Sequence, residues 1–350
     1  MKKLLNIVKN LAFLAVGVFL FWLVYRNENF GDIGRQVSQI NYFWILLAFV
    51  AAIISHWSRG ARWVLLIKPL GYRVSNFNAF LAVMIGYFAN IAVPRLGEVS
   101  RCLVLNRTNK VGVDKLLGTV IVERLVDVIS LLLILVLTLI FQFNKISSLF
   151  LQFYNTPGRA GANGAATGRL FTGTFLIVAI ASFLVVVAIA FLLYRRLKDH
   201  ALIVKLKSMI IGFKAGFGTI LKLDNLGLFI FHSVLIWSMY YVMVYVCFFA
   251  LPFSSGLGPS IALAVLCMGS FGFVAPVPGG VGAYHWIVTQ TLIMYGLTKD
   301  QSATWALVGH TFQEAVIILL GALSFIYFSV AFKKLKANDP VESNTAEAVS

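Results

Sequence analysis

The chain is 350 residues long, 60% hydrophobic and only 12% charged, with a mean hydropathy of +0.88. Soluble domains carry about 25% charged residues, so this composition excludes a water-soluble globular fold and predicts an all-α, polytopic helical membrane protein. The net charge of +16 would suggest nucleic acid in a soluble chain. Here the Lys and Arg residues sit in short segments between apolar runs, where they set topology and meet anionic lipid headgroups, so no nucleic-acid partner is expected.

The opening MKKLLNIVKNLAFLAVGVFLFWLVYRN has the basic start and apolar run of a signal peptide but no small-x-small site before Arg26, which reads as an uncleaved first helix. Apolar runs then cover residues 11–25, 42–57, 77–93, 116–143, 170–194, 228–252, 259–275, 281–297 and 303–332, enough for six to eight spanning helices. Five basic clusters separate them: Lys2, Lys3 and Lys9; Arg59, Arg62, Lys68 and Arg73; Arg101, Arg107, Lys110 and Lys115; the segment 195–222; and Lys333, Lys334 and Lys336. The positive-inside rule fits all five to one topology in a cell (inner) membrane, with both termini cytoplasmic. Residues 156–169, rich in Gly and Ala, then form an external loop, and 195–222 forms an amphipathic surface helix or an ordinary connector. Residues 1–336 read as one transmembrane domain, and the polar tail 337–350 as disordered.

Two segments break the pattern of simple spans. In LAVMIGYFANIAVPRLGEV, residues 81–99, an apolar run meets Pro94 and Gly97 and turns polar at Arg95, Glu98 and Arg101; proline should break the helix there. LAVLCMGSFGFVAPVPGGV, residues 263–281, has the same outline around Pro276, Pro278, Gly279 and Gly280. Aligned without gaps, the two share Leu81/Leu263, Ala82/Ala264, Val83/Val265, Pro94/Pro276, Gly97/Gly279 and Val99/Val281. They read as hairpins, re-entrant or fully spanning, in an inverted repeat with a substrate site at its centre.

Charged residues at membrane depth cost about 2.5–3.5 kcal/mol each on insertion scales and mark function. Arg95, Glu98 and Arg101 form one group, and Glu123, Arg124 and Asp127 another. Glu123 and Asp127 lie one helical turn apart, so a cation should sit between them, with Arg95 or Arg101 the candidates. The bland reading puts all six at the interface, snorkelling to water; Arg107, Lys110 and Lys115 fit that reading. His310 and Glu314 are four apart and read as a hydrogen-bonded pair, and His285 follows the PGG turn, but two ligands on one face fall short of a zinc site. His56, His200 and His232 read as interfacial. Cys102, Cys247 and Cys267 read as packing residues. No phosphate-binding loop, nucleophile elbow or triad spacing is present.

VPRLGEVSR (93–101), VERLVDV (122–128), PVPGGVGAYHW (276–286) and SRGARW (58–63) resemble the transmembrane region of the lysylphosphatidylglycerol synthase/flippase family. The resemblance implies a module that moves a membrane lipid between leaflets without cofactor or metal. The lipid would be an anionic or aminoacylated phospholipid, or an isoprenoid-linked one. It also implies a substrate site at Arg95, Glu98, Arg101, Glu123, Arg124, Asp127, His285 and Glu314. The family often has a glutamate where this chain has His285, so no carboxylate role carries over there. No segment reads as the soluble aminoacyl-transferase domain of the full-length synthases. A membrane-embedded lipid transferase, or a non-catalytic partner of a separate transferase, are the rival readings.

Overall fold

The structure, a computed structural model, describes residues 2–93, 96–143, 223–275 and 277–337. Pro94, Arg95, Pro276 and His200 lie outside the described residues, as do the 156–169 loop, the 170–194 run, the 195–222 segment and the tail from 338 onward. The chain divides into two units, Met1–Ile140 with Ile220–Ser350, and Phe141–Thr219. The helix bundle and its sites belong to the first.

Every regular element among the described residues is helical: α1 (Lys2–Tyr25), α2 (Phe30–Val37), α3 (Tyr42–Ile67), α4 (Asn76–Ala92), α5 (Leu96–Asn109), α6 (Val113–Phe141), α7 (Leu226–Phe248), α8 (Pro259–Val274), α9 (Ala283–Met294) and α10 (Lys299–Ala337). Local chemistry sets their starts. Asn29, Asn41 and Ser75 cap α2, α3 and α4 by accepting from backbone N–H groups of the first turn. Pro259 opens α8. Thr298 and Gln301 cap α10 reciprocally, each side chain accepting from the other's backbone N–H. By length and composition four helices can cross a bilayer, at Tyr42–Leu70, Val113–Phe141, Leu226–Phe248 and Lys299–Ala331, and Leu14–Tyr25, Asn76–Ile91 and Pro259–Val274 are shorter apolar helices. The chain is therefore a polytopic helical membrane protein.

Contacts between helix ends define two ends of the bundle. The first is the Lys68 end. There the α3 C-terminus lies beside the α7 N-terminus, where Lys68 meets Asp224 at 3.8 Å, and beside the α6 N-terminus, where Lys115 donates to the Tyr72 hydroxyl at 3.2 Å. At the opposite, Lys299 end the Asn41 N–H donates to the Ala250 carbonyl at 2.9 Å, Tyr25 donates to the Ala303 carbonyl at 3.0 Å, and Lys299 meets Glu28 at 2.5 Å.

The α4–α5 hairpin starts and finishes at the Lys68 end: α4 begins just after Arg73, and Asn109, at the end of α5, donates to the Arg73 carbonyl at 3.3 Å. At 1.5 Å per residue, α4 is about 25 Å long and α5 about 21 Å, each short of the roughly 30 Å hydrocarbon core. The α8–α9 hairpin starts and finishes at the Lys299 end, between Pro259, whose carbonyl accepts from Tyr241 at 3.1 Å, and the start of α10. Its tip, a 3-10 turn at Pro278–Gly280, touches α4. Two hairpins thus enter from opposite ends and meet inside the bundle.

Small residues let the backbones approach, as packing without a hydrophobic drive between helices requires. Ala48, Ala51, Ala52 and Ser55 line the buried face of α3. A Cβ on Gly97 would collide with the Gly86 carbonyl oxygen, and the Gly97 N–H reaches the Asn90 side chain at 2.7 Å, so the two arms of the first hairpin are closed on each other. Around α3, α4, α5 and α6 the core holds Trp63, Ile67, Val83, Cys102, Leu105 and Leu116; around α7 to α10 it holds Phe248, Leu251, Val265, Val288, Leu292 and Trp305. Cys247 and Cys267 are buried too, so all three cysteines pack as the sequence suggested.

Candidate functional site

The apolar run read in the second span stops at Trp57, but α3 continues to Ile67 and carries SRGARW into the bundle. Arg59 and Arg62 are buried there, 4% and 0% exposed. They do not anchor the chain in headgroups, as the positive-inside reading of their cluster had it. Their spacing of three puts both guanidinium groups on one helix face, toward α6. Arg59 donates to Glu123 at 3.0 Å and Asp127 at 2.7 Å. Arg62 donates to Asp127 at 2.6 Å and to the Ser233 hydroxyl at 3.3 Å.

The α5 helix supplies the third arginine. Arg101, also buried, lies 2.9 Å from Glu123 with its guanidinium 4.7 Å from the centre of the Trp63 ring, a cation–π placement that offsets part of its desolvation. Glu98, in the first turn of α5 where the helix dipole favours an anion, accepts from Arg124 at 3.0 Å, and Arg124 stands 3.9 Å from Asp127. The result is one continuous network. Glu123, Arg59, Arg62 and Arg101 form its enclosed core, while Glu98 and Arg124 form a half-exposed rim. Four guanidinium groups face three carboxylates, leaving one positive charge in excess among the described residues.

Of the site that sequence reasoning drew from Arg95, Glu98, Arg101, Glu123, Arg124, Asp127, His285 and Glu314, the structure joins Glu98, Arg101, Glu123, Arg124 and Asp127 in one ion-pair network; Arg59 and Arg62 were missed. The usable signal was two arginines three apart among Ser55, Ser58, Gly60 and Ala61, small residues that mark a packed rather than a lipid-facing surface. His56, read as interfacial, is buried instead, its ring 5.4 Å from Tyr87 and 6.4 Å from Tyr240, whose hydroxyl also meets Arg59 at 3.4 Å. His232 is half-buried, with Ser58 Oγ at 2.6 Å.

The second hairpin gathers the other candidates. His310 Nε2 lies 2.8 Å from the Gly279 carbonyl oxygen and 3.9 Å from Glu314, so the expected His310–Glu314 hydrogen bond is replaced by one to the PGG turn. His285 Nδ1 accepts from the Gly282 N–H at 3.2 Å, and its ring packs 4.5 Å from that of His310. Gly279, Gly280 and Gly282 have φ of 55°, 71° and 81°, a path L side chains avoid. Glu314 lies beside Gly279. No ion pair among the described residues joins this group to the arginine network, and none of the described His, Cys, Asp and Glu residues cluster in threes suited to a metal ion.

Residues 10–321 match the family described as the lysylphosphatidylglycerol synthase TM region. The chain is also similar to a UPF0104 membrane protein of Methanocaldococcus jannaschii, 28% identical over 126 residues, which is 35% of this chain and 38% of that protein. No solved structure matches. The family match spans the hairpins, the helix carrying Glu123 and Asp127, and the PGG turn together, and on that extent the chain belongs to the lysylphosphatidylglycerol synthase TM region family.

Proposed function

We propose that the protein translocates a membrane lipid between leaflets, with the arginine network as its headgroup site. The observation that carries this reading is the network's composition: buried arginines in excess over carboxylates, in the middle of an apolar bundle, with a half-exposed rim at Glu98 and Arg124. Charge is expensive at that depth unless it serves a polar passenger, and an excess of guanidinium selects phosphate. Arg101 and Arg95 meet the lipid phosphate, while Glu98, Glu123 and Asp127 hold the arginines apart and in place. The hairpins, related as an inverted repeat, flank the passage.

The lipid transferase reading is less well supported. Both Asp127 oxygens accept from arginines, Glu123 is ion-paired with three of them, and His285 Nδ1 already accepts from a backbone N–H, so none offers a free base. The topology follows from charge. Lys68, Arg73, Arg107, Lys110 and Lys115 crowd the Lys68 end, whereas the other end has fewer cations, two of them paired, Arg35 with Asp32 and Lys299 with Glu28. The Lys68 end faces the cytoplasm, with both termini there, in the cell membrane.

The test is leaflet exchange of a fluorescent phosphatidylglycerol in proteoliposomes, read by chemical quenching of the outer leaflet. Wild-type protein should exchange it without chemical change, Arg101→Ala should abolish exchange, and Lys110→Ala should leave it intact. Full activity of Arg101→Ala would overturn the site, and headgroup turnover in detergent would favour the transferase.

A further inference from the structure

A polar cavity of about 340 Å³ opens at the Lys299 end, away from the arginine network. Its wall comes from the end of α1 and the turn after it (Leu23, Val24, Arg26, Asn27), from α9 (Trp286, Thr289, Gln290), and from Lys299 at the start of α10. Lys299 is tied to Glu28, beside which the Asp300 carboxylate also lies. Arg26, which lines the cavity, has no carboxylate partner among the described residues, and its guanidinium lies 5.0 Å from the centre of the Trp22 ring. Deeper in, Thr289 is 1% exposed and its hydroxyl has no hydrogen-bond partner, although a buried hydroxyl normally finds one.

We infer that this cavity binds a phosphate ester, the headgroup of a phospholipid in the leaflet at the Lys299 end. An unpaired guanidinium, two side-chain amides and an unsatisfied hydroxyl around one space supply donors in the mixture that phosphate oxygens accept. The volume admits more than a water or a lone ion. Lipid is favoured over a soluble phosphate by what surrounds the opening. Trp22 and Trp286 are 51% and 41% exposed, and Phe19, one turn before Trp22, is 55% exposed. Tryptophan belongs at headgroup level and the apolar ring below it at acyl depth, so a bound phosphate here has a ready surface for its chains. The site is independent of the translocation reading and stands if that reading fails.

The experiment places the full chain in phosphatidylcholine nanodiscs containing a spin-labelled phosphatidylglycerol and measures the immobilised fraction. Losing a charge-assisted contact weakens binding about tenfold, so Arg26→Gln should release the label by about that factor. Thr289→Val, which keeps the side-chain shape, should weaken binding to a lesser degree. Arg35→Gln, an exposed cation at the same end but away from the cavity, should change nothing. Release of the label by millimolar inorganic phosphate upholds the site with the phosphate group alone as its determinant; no release, together with loss in Arg26→Gln, upholds it with the lipid as ligand. Unchanged immobilisation in both Arg26→Gln and Thr289→Val, or equal loss in Arg35→Gln, overturns the proposal whatever the leaflet-exchange assay shows.

Discussion

Glu123 is fully buried and answers for three arginines at once. Removing one partner of a buried ion pair costs about 3–5 kcal/mol, because the partner's charge remains in low dielectric. Glu123→Gln is therefore expected to lower stability by about that amount, and Asp127→Asn, whose side chain is 13% exposed, by less. Thermal unfolding in detergent distinguishes them, and equal melting temperatures for both variants and wild type would show that the network is loosely held. A second contrast separates backbone strain from collision. Gly282 and Gly71 both have positive φ, but a Cβ on Gly282 would run into the Gly17 carbonyl oxygen, while one on Gly71 would meet nothing within 4 Å. Gly71→Ala should cost about 1 kcal/mol, and Gly282→Ala should unseat α1 and cost several times more in the same measurement. The carboxylates of the site were legible because Glu123 and Asp127 interrupt an apolar helix at a spacing of one turn. Arg59 and Arg62 were not, since an arginine that snorkels and one that folds inward look alike in a hydropathy pattern; only packing against α6 and α7 tells them apart.

At the scale of elements, the breaks near Pro94 and Pro276 were readable from proline and glycine alone, and the helices stop and resume around them, at Ala92 and Leu96 in the first hairpin and at Val274 and Ala283 in the second. Their depth was not readable, because a short helix pair and two full spans share a hydropathy trace. Length bears on it, since α4 and α5, about 25 and 21 Å long, each fall short of a roughly 30 Å hydrocarbon core, while the return of Asn109 to Arg73 fixes only that the hairpin starts and finishes at one end. Single cysteines replacing Arg73 and Lys110 should accordingly react with an impermeant maleimide from one side of the membrane, and cysteines replacing Ser255 and Asp300 from the other. The native cysteines are buried and add little background. Labelling of positions 73 and 110 from opposite sides would show that the hairpin does not return to the end it starts from. The length of α3 was misjudged for a related reason: its apolar stretch ends at Trp57, but small residues and arginines carry the same helix ten residues on, supported by Trp63 donating to Thr119 at 2.8 Å.

For the whole molecule, class and environment followed from composition, and the likeness of the two hairpins was visible in six shared positions. The arms agree in burial, with Ala82 and Val83 in α4 matched by Ala264 and Val265 in α8. Their tips differ, the second being longer and wound through three glycines of positive φ. Under an inverted-repeat mechanism the hairpins exchange solvent access, so a disulfide pinning the PGG turn to α4 should stop lipid exchange while leaving the fold intact, and reduction should restore it. Exchange that persists in the cross-linked protein would mean the hairpins do not move relative to each other.

The arginine network also constrains how the chain is made. Arg59 emerges from the ribosome 64 residues before Glu123 and 68 before Asp127. During that interval α3 offers the lipid two guanidinium groups without their carboxylates, at roughly 2.5–3.5 kcal/mol apiece. Its C-terminal half has to wait at the membrane surface, or in the insertion machinery, until α6 arrives. A nascent chain cut after Gly112 should leave Arg59 and Arg62 accessible to water, whereas one cut after Phe143 should draw them inward. Insertion of this protein is then a concerted event across nearly a hundred residues, and a lesion in α6 would be felt first as a failure to seat α3.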